Sequence, residues 1–237
     1  GYISGIAGMG DGDDLIVVDR NDIAIDGGAG TDTLFSFVDF DLNETGGIEN
    51  LTIEGNAMRG IGTNVDNLIN GNMQDNFLAG LSGNDTMNGG EGDDIVRGNN
   101  GDDAINTGNG DDLGRGDNGN DTVSGGAGDD TLEGRQGDDV LLGGEDFDLL
   151  LGHIGNDTIE GGADDDTVQG GRGDDVIQGD TGNDALWGGR GNDLFIWNNG
   201  DGSDVVDGGE TGAGESNTQR VNAADGAGDL INVALSN

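Results

Sequence analysis

The central part of the chain places a bulky apolar residue at every ninth position. Between Gly80 and Ile196 the pattern runs through thirteen copies, and the apolar position, the eighth, fails only at Gly114. Residues on either side of it are mixed, so a segment such as 131–133 (Thr-Leu-Glu) predicts a very short strand with its middle side chain buried. The other six residues are rich in glycine, which favours a tight loop. A loop and a strand repeated in this way predict a coil of stacked parallel strands.

The polar positions are as regular as the apolar one. With the first position at Gly80, the repeat reads G-x-x-G-(D/N)-D-x-U-x, where U is apolar, and the first position is Gly in every copy except at Thr107. Carboxylates and loop carbonyls are the hard oxygen ligands that Ca²⁺ prefers, so we predict metal binding by the sixth and fourth positions. The sixth position is Asp in all thirteen copies: Asp85, Asp94, Asp103, Asp112, Asp121, Asp130, Asp139, Asp148, Asp157, Asp166, Asp175, Asp184 and Asp193. The fourth position is Gly in eleven copies: Gly83, Gly92, Gly101, Gly110, Gly119, Gly128, Gly137, Gly155, Gly173, Gly182 and Gly191.

This repeat is similar to G-G-x-G-x-D-x-U-x, the RTX (haemolysin-type) calcium-binding nonapeptide. Residues 89–97 and 125–133 match it at every position. The resemblance implies an all-β fold, a right-handed parallel β-roll or β-solenoid in which two repeats make one turn. It further implies that Ca²⁺ lies between loops one turn apart, in one column from Asp85 to Asp193 and another from Asp94 to Asp184. That arrangement would hold about eleven ions, each between two of these aspartates.

The repeat divides the chain into four parts. Residues 80–196 form the strict calcium-binding block, and residues 62–79 keep the nine-residue register while Asn67 and Asn76 replace Asp. We expect 62–79 to form strands held by apolar packing and amide hydrogen bonds instead of metal.

Strand-rich segments are expected at both ends of the block. Residues 1–61 contain irregular relatives of the repeat at 8–16 and 27–34, so we expect them to continue the solenoid or to cap it. Residues 197–237 lose the period and are predicted as a C-terminal cap, with Trp197 plugging the open end.

Two departures inside the block bear on stability and on partners. Thr107 and Gly114 fall in one copy, which therefore loses its core residue and is predicted to be a soft spot. Apolar residues occupy outward positions at Val140, Leu142, Leu149 and Leu151. They are either scattered surface residues or a patch that faces a partner.

Composition and charge make metal essential to this picture. The chain of 237 residues has 53 Gly, no Cys, no Pro and a formal net charge of −41. Such a composition is typical of disordered proteins, so we expect the metal-free chain to be unfolded. Since there are no disulfides, we expect bound calcium to cross-link the fold in their place. No apolar stretch is long enough to span a membrane. The sequence starts at Gly1 with neither an initiator Met nor a signal peptide, so we expect a piece of a longer protein.

The sequence argues against catalysis and against nucleic-acid binding. The single histidine, His153, lies in a loop and is expected to be solvated, and the sequence holds no serine elbow, zincin motif or cysteine nucleophile. The sequence has only eight basic residues against 49 acidic ones, and this excess of negative charge excludes ordinary binding to nucleic acid. We therefore predict a non-enzymatic module.

Two functions remain open. The first is a secreted structural module that folds on extracellular Ca²⁺, as part of a surface adhesin, matrix or filament protein that self-associates or binds other surface proteins. The second is the non-catalytic tail of a secreted hydrolase or polysaccharide-modifying enzyme. Export by a one-step secretion system is implied only by the resemblance.

Overall fold

A computed structural model describes residues 7–19, 25–198, 202–209, 218–221 and 232–234. In chain order the strands are β1 (Ala7–Gly8), β2 (Leu15–Val18), β3 (Ile25–Asp26), β4 (Thr33–Ser36), β5 (Phe40–Asp41), β6 (Asn50–Ile53), β7 (Arg59–Ile61), β8 (Leu68–Asn70), β9 (Phe77–Ser82), β10 (Thr86–Glu91), β11 (Ile95–Asn100), β12 (Ala104–Asn109), β13 (Leu113–Asn118), β14 (Thr122–Ala127), β15 (Thr131–Gln136), β16 (Val140–Glu145), β17 (Leu149–Ile154), β18 (Thr158–Ala163), β19 (Thr167–Arg172), β20 (Val176–Thr181), β21 (Ala185–Arg190), β22 (Leu194–Trp197), β23 (Val205–Asp207), β24 (Thr218–Val221) and β25 (Asn232–Ala234). One short 3₁₀ helix, Leu42–Glu44, lies between β5 and β6.

The strands form two long sheets in which every neighbour is parallel. The even-numbered strands from β2 to β24 make a 12-stranded sheet in sequence order, and the odd-numbered strands from β5 to β25 make an 11-stranded sheet. β1 and β3 form a separate parallel pair. Because consecutive strands alternate between the two sheets, the chain winds as a parallel β-solenoid, which confirms the predicted fold class.

Strand pairing follows the predicted turn of two repeats. Thr86 pairs with Ala104 and Thr131 with Leu149, each eighteen residues further along. The register extends beyond the strict block, since Leu15 pairs with Thr33 in the same 12-stranded sheet. The solenoid therefore continues through the described part of residues 1–61.

The strands are longer than the repeat suggests. We predicted three-residue strands, but those of the block from β9 to β21 have six residues and run into the glycine-rich start of the next copy, as in Thr86–Glu91. The backbone turns at the second position, where Gly90 has a φ of 120°, yet Gly90 and Glu91 still pair with Gly108 and Asn109. Glycine tolerates this conformation, so the strand bends without losing its partner.

The hydrophobic core is one continuous row of apolar side chains between the two sheets. The twelve apolar eighth-position residues are at most 3% exposed, and each contributes roughly 1.5–3 kcal/mol on burial. They are Met87, Val96, Ile105, Val123, Leu132, Leu141, Leu150, Ile159, Val168, Ile177, Leu186 and Phe195.

The predicted soft spot at Gly114 is wrong, because Thr107 fills the space. A Cβ atom built on Gly114 would lie 2.7 Å from Val123 Cγ1 and 3.1 Å from Thr107 Cγ2, so no cavity exists there. Thr107 is fully buried, and its hydroxyl donates to the Gly125 carbonyl over 3.0 Å. The two departures from the repeat therefore compensate each other.

The four outward apolar residues do not form one patch. Val140 and Leu142 lie in β16 of the 12-stranded sheet, whereas Leu149 and Leu151 lie in β17 of the other. All four are half-buried. Since consecutive repeats alternate between sheets, residues nine apart face opposite sides of the solenoid, so of the two alternatives a single partner-facing patch of all four is ruled out.

The C-terminal end differs from the predicted plug. Trp197 is 5% exposed and stacks on Phe195 with ring centroids 5.9 Å apart, inside the core. β24 pairs with β22 beyond it, so Trp197 does not close an open end. Across the described residues, the structure holds no helix long and apolar enough to cross a membrane.

Candidate metal centre

Two columns of buried aspartates run along the solenoid, one beside each sheet. Each sixth-position Asp lies just before a strand, and all thirteen are at most 4% exposed. Parallel pairing at eighteen residues stacks Asp85 on Asp103 and Asp94 on Asp112, and so on along both columns. The structure thus brings the thirteen aspartates into the two columns that the resemblance implies.

One oxygen of each carboxylate ties neighbouring turns together. The backbone N–H of Asp85 donates to Oδ1 of Asp103 over 2.7 Å, and that of Asp103 donates to Oδ1 of Asp121 over 2.8 Å. The same bond recurs from Asp94 to Asp112 over 2.7 Å in the second column. These bonds fix the orientation of the carboxylates without any ion.

The other oxygen is buried and has no hydrogen-bond partner. This holds for Oδ2 of every sixth-position aspartate from Asp85 to Asp184. A buried polar atom without a hydrogen-bond partner costs about 1–3 kcal/mol, and a charged one costs more. Native proteins therefore rarely leave one in place. Twelve such atoms in two regular columns indicate a positively charged group that satisfies them.

The glycines of the loops let carboxylate and carbonyl oxygens approach the backbone closely. A Cβ atom on Gly98, a first position, would lie 2.1 Å from Asp103 Oδ2. At the fourth position, a Cβ on Gly110 would lie 2.2 Å from the carbonyl oxygen of Gly92 in the preceding turn. In the glycine copies there is therefore no room for a side chain at either position, and fourth-position carbonyls point along the axis between loops.

These donors fit Ca²⁺. Carboxylate and carbonyl oxygens in flexible loops match its preference for six to eight oxygen ligands. Among the residues that the structure describes, no three acidic or histidine side chains converge on one point. An ion in these columns would therefore need backbone carbonyls in addition to Oδ2 atoms, which is the donor set that the loops offer.

The electrostatics of the columns also favour a cation. Burial, together with the charge of Asp112 one turn away, raises the pKa of Asp94 to about 7. Burial likewise raises the pKa of Asp166 and Asp175 to about 8, with added repulsion from Asp148 and Asp157 respectively. Without a counter-ion, the carboxylates disfavour their charged form near neutral pH.

The two fourth-position exceptions keep the loop shape without glycine. Asp146 and Asp164 both have a φ of 75° and are exposed. Burial is the main reason that the pKa of Asp148 rises to about 7, and Asp146 adds to it; Asp164 acts in the same sense on Asp166. Their carboxylates therefore add negative charge near these two members of the column.

The asparagines of residues 62–79 close their loops by amide bonds, as expected. Asn67 Oδ1 accepts from the N–H of Thr63 over 2.6 Å, and its Nδ2 donates to the Glu49 carbonyl over 2.9 Å. Asn76 Oδ1 accepts from the N–H of Asn72 over 2.8 Å. Both ends of each amide are used, so these turns hold together without an ion.

One column member was missed by the sequence reasoning. Asp204 is 3% exposed, and its Oδ1 accepts from the N–H of Asp184 over 3.0 Å, as in the strict copies. It lies twenty residues after Asp184 instead of eighteen, which hides it from a strict period. The pattern D-x-U, present as Asp204-Val205-Val206, was the signal that could have found it.

His153 takes no part in either column. It lies at a second position in β17, is exposed, and has a φ of 77°. The expected exposure to solvent is confirmed.

A comparison with family models identifies the repeat. The model described as the RTX calcium-binding nonapeptide repeat (4 copies) matches residues 61–87, 80–114, 115–150, 134–168, 142–177 and 160–195, together more than half of the chain. The chain belongs to the RTX calcium-binding nonapeptide repeat family. RTX repeats are calcium-binding structural modules, and this chain is a calcium-binding RTX solenoid. No curated protein matches the chain.

Proposed function

We propose that the thirteen sixth-position aspartates and the eleven fourth-position glycines bind about eleven Ca²⁺ ions in the two columns. The observation that carries the proposal is the buried, unpartnered Oδ2 atom of each aspartate from Asp85 to Asp184. Each carboxylate would use Oδ1 to hold the turn and Oδ2 to bind the ion, while glycine carbonyls complete the shell.

Calcium binding is coupled to folding in this proposal. The chain carries a net charge of −41, and stacking puts buried carboxylates one turn apart. Ions between the turns would offset both the repulsion and the loss of hydration, so that binding free energy becomes folding free energy. The metal-free chain is then unfolded at neutral pH.

The site chemistry supports a folded module that works outside the cell. Extracellular modules bind Ca²⁺ with dissociation constants of about 10⁻⁴–10⁻³ M, which millimolar calcium fills and cytosolic calcium does not. The chain would be exported unfolded and would fold after secretion, free or attached to the cell surface.

The role we propose for the folded module is structural. Parallel stacking continues from β2 to the last described strands, and apolar packing between the sheets runs from Ile16 to Val206. A long rigid solenoid of this kind suits a surface adhesin, a matrix or a filament protein that associates with itself or with other surface proteins. The competing role, the non-catalytic tail of a secreted hydrolase or polysaccharide-modifying enzyme, predicts a catalytic domain in the parent protein instead of further repeats.

Circular dichroism with and without calcium tests the coupling. At neutral pH we expect little strand signal in excess chelator and a cooperative gain of strand signal in millimolar Ca²⁺, with Mg²⁺ at the same concentration as the control. Equal strand content in chelator and in calcium would overturn the proposal. Light scattering of the same samples tests self-association, since a strict monomer under both conditions contradicts a self-assembling role.

A further inference from the structure

The site geometry of the strict block recurs near the N-terminus, outside the residues that the family model matches. The loop at 27–32 stacks on the loop at 9–14, and the N–H of Asp14 donates to Oδ1 of Asp32 over 2.8 Å. The corresponding bond between Asp85 and Asp103 measures 2.7 Å. At the neighbouring position, the N–H of Thr31 donates to Oδ1 of Asp13 over 2.9 Å. Fifth-position residues one turn apart are joined by the same bond in the block, as from Asp102 N–H to Asn84 Oδ1.

Both aspartates keep a buried oxygen without a partner. Asp32 is 0% exposed, and neither its Oδ2 nor that of Asp14 has a hydrogen-bond partner. Asp32 Oδ2 points at Gly27, where a Cβ atom would lie 2.3 Å from it. The same relation joins Gly98 and Asp103, with 2.1 Å.

The carbonyls of the lower loop point at glycines of the upper one. A Cβ on Gly28 would lie 2.0 Å from the Gly10 carbonyl oxygen, and one on Gly30 would lie 2.4 Å from that of Gly12. Gly28 and Gly30 have φ values of 102° and 145°, which favour glycine. The two loops therefore offer backbone oxygens beside two carboxylate oxygens that nothing else satisfies.

We propose that a divalent cation of the calcium type binds between these loops, held by Oδ2 of Asp14 and Asp32 and by carbonyls of Gly10 and Gly12. The inference rests on the calcium chemistry proposed for the columns but uses residues outside the strict block. Hard oxygen donors of this kind select Ca²⁺ over softer transition metals.

This site is separated from the main column by turns that need no ion. The next member above Asp32 is Glu49, whose Oε2 accepts the N–H of Asp32 over 2.9 Å. Above Glu49 lies Asn67, whose amide is satisfied at both ends by Thr63 and by the Glu49 carbonyl. Loss of the N-terminal ion would therefore leave the sites from Asp85 onward intact.

Counting ions on the whole chain tests the inference. Native mass spectrometry in saturating calcium should find one ion fewer in Asp32→Asn than in the wild type, because the amide cannot offer a second anionic oxygen. Asp13→Asn is the matched control: it removes one charge from the same loop but keeps an oxygen for the N–H of Thr31, and it should bind as many ions as the wild type.

Hydrogen exchange on the same variants separates the site from a merely structural effect. In Asp32→Asn we expect faster exchange in residues 9–19 and 25–35, while 86–196 stay protected. An unchanged ion count in Asp32→Asn would overturn the inference, whether or not these N-terminal residues lose protection. Failure of the wild type to bind calcium at all would instead contradict the proposed function.

Discussion

The indole Nε1 of Trp197 donates a hydrogen bond of 2.8 Å to Oδ2 of Asp204. In the copies from Asp85 to Asp184 this oxygen is the one that has no hydrogen-bond partner, so a side chain here does what we propose calcium does elsewhere. The last described turn of that column is therefore closed by the protein itself.

Replacing this indole should loosen the C-terminal end. Trp197→Phe removes a hydrogen bond to a buried carboxylate, and a hydrogen bond to a charged group contributes about 1.5–3 kcal/mol. We expect a lower melting temperature in saturating calcium. Trp187→Phe is the control, because Trp187 is 37% exposed, and it should melt like the wild type. Equal melting of both variants would show that the bond does not stabilise the end.

Thr107 and Gly114 should behave as a coupled pair. Thr107→Gly empties a filled space and should cost about 1 kcal/mol, while Gly114→Val forces atoms against Val123 and should also destabilise. The double variant restores the common form of the repeat and should recover most of the lost stability. Chemical unfolding in calcium measures the cycle, and strictly additive effects would contradict the compensation.

A carboxylate inside the column should matter more than one on its rim. Asp130→Asn removes a buried oxygen proposed to serve two neighbouring sites, whereas Asp129→Asn changes an exposed fifth position. We expect the calcium concentration at the folding midpoint to rise about tenfold for Asp130→Asn, equivalent to ~1.4 kcal/mol, and to stay near the wild-type value for Asp129→Asn. Asp130→Ala should also weaken calcium-dependent folding more than Asp32→Ala. Equal midpoints for the two asparagine variants would contradict the assignment of the column.

Acid should partly replace calcium. In the metal-free fold, burial raises the pKa of Asp103 and Asp121 from 3.8 to about 7, so the folded form binds protons more tightly than the unfolded form. The metal-free solenoid is therefore most stable below pH 4 and loses stability as the pH rises through about 7. Calcium affinity should fall over the same range as protons compete.

Circular dichroism of metal-depleted protein between pH 8 and pH 4 measures this effect. Strand signal should increase as the pH falls, whereas in saturating calcium it should be present already at pH 8. A metal-free chain equally unstructured at every pH would show that protonation cannot relieve the repulsion in the columns.

The period of the sequence predicted the buried core positions, while the resemblance to the RTX repeat implied the turn of two repeats and, with it, the two columns. Once the length of the turn is known, parallel stacking must bring together residues eighteen apart, such as Asp85 and Asp103. The amide closure at Asn67 could also be predicted, because asparagine carries both a donor and an acceptor.

Other features depend on contacts that the period does not encode. In the sequence, Thr107 and Gly114 are two separate departures from the repeat, but in the packed core the Thr107 side chain fills the space that the missing side chain of Gly114 would leave. Val140 and Leu149 both take outward positions in the repeat, but they lie on opposite sides of the solenoid because successive copies alternate between sheets. Asp204 was hidden by a turn of twenty residues, which changes the spacing while keeping the hydrogen bond. The six-residue strands were missed because glycine-rich sequence normally indicates a loop.

Anomalous X-ray diffraction from crystals grown in calcium tests the central claim most directly. We predict a calcium peak between consecutive aspartates of each column, within bonding distance of the Oδ2 atoms that lack a protein partner. Columns from Asp85 to Asp184 without anomalous density, in a folded protein, would contradict the proposal that calcium holds these turns together.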